Sequence, residues 1–235
     1  MDGANARAPA GEVLAALDAS ADHGGFFVLP AGGSGQGWHP VADSYARGFR
    51  DQARAVAERH RTSDQRVGVS IAQLGHAARL WSPSLACVLL HGVVLDLSTV
   101  HRADEGPGLW LPRAAGWYAD RLPDVNAALY GQVMGHLDAL AKGLRVRVAP
   151  RLLDGNAASA LVEAARTLLA AHPGLRDPLT STVTELLTTG RLAGTGQLTG
   201  PDLTFRRRSC CLYYRAPNGT KCADCCLADR GPRPG

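Results

Sequence analysis

The sequence predicts a mainly α protein: a helical body with a small β-hairpin excursion and a cysteine-rich module at its C-terminal end. Three observations carry this. Apolar residues recur at helical spacing in several segments between residues 43 and 190. Glycine and proline punctuate those segments. Five of the six cysteines fall between Cys210 and Cys226. At 235 residues, 46% hydrophobic and 20% charged, the chain is long enough to bury a core without covalent staples.

Residues 1–42 read as a flexible or irregular segment, in which "AGGSGQGWHP" at 31–40 has neither dinucleotide-binding nor P-loop glycine spacing. The body is expected over residues 43–200. From Asp43, Tyr45, Phe49, Ala53 and Val56 form one helical stripe; Val67, Ile71, Leu74, Ala78 and Trp81 form another, which Ser82-Pro83 is expected to end. Residues 84–94 are nearly all apolar and read as a buried helix running into a strand, where Val93, Leu95 and Leu97 alternate with polar partners. The turn-rich "ADEGPG" before "LWLPR" gives the two-stranded excursion. Asp124 caps a long helix bearing Val125, Leu129, Val133, Leu137 and Leu140, closed by Gly143. Asn156 is read as the cap of the next, with Leu161, Val162, Ala165, Leu168 and Leu169 on one face. Asp177-Pro178 opens the last, which carries Leu179, Val183, Leu186 and Leu187 and stops at Gly190. "LAGTGQLTG" then connects to a module over residues 201–235.

Charge and composition exclude several functions. A net charge of +4 is too slight to imply nucleic acid by itself. No stretch has the length of apolar sequence a transmembrane helix needs, and the start lacks the pattern of a secretory signal, so a cytoplasmic location is expected. In that reducing compartment clustered thiols are metal ligands or redox groups rather than a disulfide framework. Cys87, inside "LACVLLHG", reads as a buried small hydrophobe, and Trp110, Trp117 and Tyr118 as core aromatics. The histidines form no ligand constellation, and no nicotinamide or flavin fingerprint is present, so electrons must come from outside.

The tail reads C-C-x10-C-x2-C: Cys210, Cys211, Cys222 and Cys225, with Cys226 following. Four thiolates can surround an iron–sulfur cluster or a zinc ion. C-x2-C is an ordinary ligand turn. Adjacent cysteines are not, because neighbouring side chains of an extended strand point to opposite faces and a bend must bring both sulfurs round. Pro217-Asn218-Gly219 has turn chemistry, so the module is expected to be a hairpin with ligands at both feet. Arg206, Arg207, Arg208 and Arg215 flank it and can stabilise a reduced, negatively charged cluster.

This tail, preceded by "FRRRSCCLYYR", together with "GNAASAL" and "LWSPSLA" upstream, resembles the FhuF-like ferric hydroxamate siderophore reductases. The resemblance is specific in the tail and looser before it. Asp154 stands where that family commonly has a tryptophan before its Gly-Asn pair, and Cys226 lies outside the four-cysteine pattern. The resemblance implies a [2Fe–2S] cluster on Cys210, Cys211, Cys222 and Cys225; of the flanking arginines, Arg207, Arg208 and Arg215 are the candidates to lie near it, one or two of them being expected to approach. It further implies a ferric siderophore of hydroxamate type as substrate; the external electron, expected because the chain has no cofactor fingerprint of its own, would come from a ferredoxin or flavoprotein reductase. Two alternatives stand beside it: a zinc-stabilised binding module, and an iron–sulfur electron carrier for another enzyme.

Overall fold

The structure is a computed structural model that describes residues 6–228. Residues 1–5 and 229–235, the outer ends of the first and last expected segments, lie outside the described residues. The chain is mainly α, as its periodicity predicts.

The first helix, α1 (Ala10–Ala21), occupies the segment expected to be irregular. Its signal was present: Val13, Ala16, Leu17 and Ser20 follow i, i+3, i+4, i+7 and are all buried. After β1 (Trp38–Pro40), the stripe expected to be one helix is two, α2 (Val41–Ala46) and α3 (Arg50–Arg59). The break sits at Gly48 and Phe49, both left-handed at φ +84 and +53. A side chain at Gly48 would also run into Arg145.

The central helix α4 (Gln65–His91) corrects a second expectation, since it runs through Pro83 rather than ending there. Pro83 has no N–H for the carbonyl of Arg79, a loss normally costly to a helix. Here residues 80–88 are buried throughout, and Ser84 Oγ adds a bond to the carbonyl of Leu80 at 2.7 Å. Burial on all sides outweighs the missing bond. Asp64 caps the start by accepting from the Arg66 N–H, and left-handed Gly92 closes the end.

Short strands follow: β2 (Val93–Leu95), β3 (His101–Ala103), β4 (Leu109–Trp110) and β5 (Gly116–Tyr118). Antiparallel β1, β3 and β4 form one small sheet, β2 and β5 another. Trp110 is buried and donates to the carbonyl of Gly32 at 2.7 Å, while Trp117 stacks under the Arg7 guanidinium. Helix α5 (Val125–Gly143) starts at Asp124, whose carboxylate accepts from the Ala127 N–H at 2.8 Å.

Helix α6 (Pro150–Ala171) begins earlier than expected, at a proline suited to the first turn. Asn156 is therefore no cap. It lies in the second turn and is fully buried. Helix α7 (Arg176–Thr188) then leads to the expected glycine-rich connector, part of which is strand β6 (Gly196–Leu198), paired antiparallel with β7 (Phe205–Arg207). Leu203 and Phe205 join the main core, so β7 brings the chain out of the body directly into the cysteines. Helix α4 packs against α1, α3, α5 and α6 and so forms the body's axis. No helix among the described residues is long and apolar enough to cross a membrane.

Candidate metal centre

The tail after β7 is irregular rather than a hairpin. Cys210 and Cys211 are followed by Leu212 at φ +67, then by one 3-10 turn over Tyr213–Arg215. A left-handed leucine is a strained conformation that needs surrounding structure to hold it. It supplies the bend that two adjacent ligands require. The Leu212 N–H turns back to Cys210 Sγ at 3.3 Å, and the Tyr213 N–H serves Cys211. At the other end the Cys225 N–H closes the C-x2-C turn on the carbonyl of Cys222 at 3.1 Å, and the Leu227 N–H points to Cys225 Sγ at 3.4 Å.

The sulfurs gather. Cys211 Sγ and Cys222 Sγ are 3.6 Å apart. Tetrahedral thiolates on one metal, with bonds of ~2.3 Å, would sit roughly 3.8 Å from one another, close to the spacing of this pair. Burial raises the Cys210 thiol, and nearby Cys211, Cys225 and Cys226 raise it further. Cys222 hydrogen-bonds Cys211 and brings that thiol down to about 6, helped by the Tyr213 N–H and the Arg207 guanidinium; Cys222 keeps the shared proton and is shifted upward. Cys211 and Cys225 are buried, whereas Cys210, Cys222 and Cys226 are partly open. Among the described residues no three His, Cys, Asp or Glu side chains converge as for a single ion.

The four flanking arginines separate. Arg207 is 2% exposed; its Nη2 donates to Asn156 Oδ1, and its backbone N–H to the carbonyl of Asp224 at 3.1 Å. Arg206 Nη2 reaches the carbonyl of Ala228 at 2.7 Å and ties that residue back to β7. Arg208 is exposed, with its backbone N–H on Thr195. Arg215 pairs with Asp64 at 3.3 Å. The structure thus brings Arg207 to the cysteines and turns Arg208 and Arg215 elsewhere.

Sequence reasoning missed how the body holds this tail. "GNAAS" on α6 is a seat. A Cβ at Gly155 would lie 2.2 Å from Ser209 Oγ and 3.4 Å from Arg207 Nη2, so only glycine lets the tail approach. Asn156 accepts from Arg207 and donates through Nδ2 to the Ser70 carbonyl at 2.9 Å and to Gln73 Oε1 at 2.9 Å. Ser159 Oγ donates to the Asp224 carboxylate, between Cys222 and Cys225. From α4, Ser70 Oγ donates to the carbonyl of Cys211 at 2.7 Å. Small and polar residues at positions 155, 156 and 159 of a helix otherwise full of leucine and alanine were the available signal. Asp154, just before the seat, faces the other way and receives Arg191 Nε at 2.9 Å.

Two buried donors beside the cysteines have no partner among the described residues: Arg207 Nε and Ser209 Oγ. Buried polar groups are normally satisfied, and anionic sulfur supplies the acceptors that these lack. Bent backbone, close thiols, amide donors and spare buried donors all fit an iron–sulfur centre.

Residues 207–227 match the family model described as the FhuF 2Fe-2S C-terminal domain. The tail is an FhuF-like [2Fe–2S] module. The matched residues include all five clustered cysteines and Arg207, and the cofactor is a [2Fe–2S] cluster in place of the zinc alternative. No curated protein and no solved structure matches the chain.

Proposed function

We propose that the protein is a cytoplasmic ferric-siderophore reductase in which Cys210, Cys211, Cys222 and Cys225 hold the [2Fe–2S] cluster. Cys225 is preferred to Cys226 because it is buried, sits in the C-x2-C turn and receives an amide donor. When bound, the cluster supplies one electron at a time. The chain's residues fix the conditions for that exchange. Arg207, held by Asn156, adds a buried positive charge beside Cys211. The amides of Leu212 and Leu227 donate to sulfur, and the partial exposure of Cys210 and Cys222 leaves a short path for electrons in and out.

The chemistry of the substrate makes such a donor useful. Hard oxygen ligands bind ferric iron far more firmly than ferrous, so one added electron loosens the complex. The chain carries no G-x-S-x-G elbow and no H-E-x-x-H motif for hydrolysing the chelator instead. An external ferredoxin or flavoprotein reductase restores the electron. The observation carrying this reading is the Cys211–Cys222 thiol pair beside the buried Arg207–Asn156 network in a tail of FhuF type.

The test is anaerobic. Dithionite-reduced, desalted protein is mixed with hydroxamate and catecholate ferric siderophores while the cluster band and a ferrous-selective chelator are followed. Reoxidation with stoichiometric ferrous release is expected from at least one of them. A cluster that stays reduced with all of them, yet reduces other one-electron acceptors, makes the protein an electron carrier.

A further inference from the structure

Helix α3, the start of α4 and the loop after α5 enclose a cleft of about 830 Å³, within the range of small-molecule sites. Its floor is apolar: Ala53 and Ala57 from α3, Val69 from α4, and Val146 from the loop. Four arginines, Arg50, Arg54, Arg61 and Arg145, line it as well, against two carboxylates, Asp51 and Glu58. Those carboxylates are already neutralised. Asp51 pairs with the buried guanidinium of Arg102, and Glu58 with Arg54 at 3.5 Å. Arg145 spends one N–H on the carbonyl of Ala46, while the Arg50 and Arg61 side chains have no ion-pair or hydrogen-bond partner among the described residues. The cleft therefore carries uncompensated positive charge over an apolar floor.

It also adjoins the cysteine tail. Val69 lines the cleft, and its neighbour Ser70 donates to the Cys211 carbonyl at 2.7 Å. The cleft wall at Arg61, Thr62, Ser63 and Gln65 is the turn on which the tail rests: Asp64 pairs with Arg215 at 3.3 Å, and the His60 ring meets Tyr213 edge-on at 5.2 Å. A ligand in the cleft lies one wall away from the cluster module.

We propose that this cleft is the chelate site and that it selects ferric chelates of net negative charge over neutral or cationic ones. The proposal rests on the reductase reading and adds the site and the charge class. Guanidinium groups bind anionic oxygens by paired hydrogen bonds and stack on aromatic rings, which suits a catecholate; the alanine and valine floor receives its apolar backbone. Redox balance is that of the reductase: the reduced cluster loses one electron and the chelated ferric ion gains it.

Gallium complexes test binding without electron transfer. Holoprotein is titrated with the trianionic gallium tris-catecholate and with monocationic gallium desferrioxamine B. The anionic complex should bind about tenfold tighter or more at low salt, with the gap narrowing as salt rises. Arg50→Gln with Arg61→Gln should weaken that binding about tenfold and leave the cluster's visible spectrum unchanged, whereas Arg113→Gln, an exposed arginine outside the cleft, should change neither. Equal affinity for the two complexes, or an indifferent double variant, overturns the inference even if ferric chelates still reoxidise the protein. If no chelate binds and none reoxidises it, the reductase reading falls and takes the inference with it.

Discussion

The helical body and the cysteine tail are held together by different physics. In the body, α4 packs against α6, and Leu80, Trp81 and Leu85 of the one and Leu161, Ala165 and Leu168 of the other are fully buried in the common core. From Ser209 to Ala228 the tail buries only Cys211, Ala216 and Cys225 and keeps its shape by turns and N–H···S contacts. A core of the first kind is stable from burial alone. A tail of the second kind needs its cluster, and its position comes from the body through Ser70, Gly155, Asn156 and Ser159. The lesson is that the seat, as much as the cysteines, defines the centre.

The largest effect that separates the two regions should follow loss of the cluster. In Cys211→Ser, tryptic cleavage at Arg215 and Lys221 should rise tenfold or more by about the amount expected when local opening replaces a fixed loop, while far-UV circular dichroism keeps the body's helicity. Unfolding of the body together with the tail would show that the two are one cooperative unit.

The seat comes next. Asn156→Leu removes the acceptor of a buried guanidinium, a change of ~2–3 kcal/mol when a hydrogen bond to a charged group is lost. Gly155→Ala forces Ser209 away. Both should release iron to a chelator several-fold faster than the parent, with a smaller loss of body stability. Release rates equal to the parent's would mean that the tail holds its cluster without the seat.

A smaller effect tests the body. His76 is fully buried against the Tyr45 hydroxyl at 2.6 Å, and burial, with His136 nearby, brings it down to about 3. The folded chain keeps it neutral while the unfolded chain takes up a proton below its ordinary value near 6.5. Stability is therefore intact above that value and falls as pH drops toward 3, by up to ~1.4 kcal/mol per pH unit. Urea midpoints by circular dichroism at neutral and mildly acid pH should show the fall, and His76→Gln should flatten it.

Cys87 should matter least. It is fully buried near Ser20, and burial pushes its thiol up to about 11. Cys87→Ala should leave the cluster spectrum unchanged and cost roughly 1–2 kcal/mol at most, and the native thiol should resist alkylation until the chain unfolds. Loss of the visible spectrum in this variant would put a ligand where the structure has a core residue.

Legibility in the sequence divides along the same line. Helix α5 was readable because its Asp124 cap and its stripe agree, α7 from its stripe alone since no side chain caps it, and the tail because C-C-x10-C-x2-C is a rare spacing. The passage of α4 through Pro83 was not readable, since the burial that overrides a missing hydrogen bond is a property of the packed body. Phe49 in a left-handed conformation and Leu212 likewise carry no local mark: each is held by surroundings distant in sequence. The seat was half-visible. "GNAAS" stood out as small and polar, but an asparagine near a helix start reads as a cap, and only the fold brings Arg207, 51 residues later, to its side chain.

The most direct test of the central account is iron and acid-labile sulfide analysis of the parent and of single Cys→Ser variants, alongside visible spectra. The account predicts two irons and two sulfides per chain in the parent. It predicts near-parent content in Cys87→Ser and Cys226→Ser, and loss or strong distortion of the cluster in Cys210→Ser, Cys211→Ser, Cys222→Ser and Cys225→Ser. A colourless parent that binds only zinc, or an intact cluster after any one of those four substitutions with loss after Cys226→Ser instead, would contradict it.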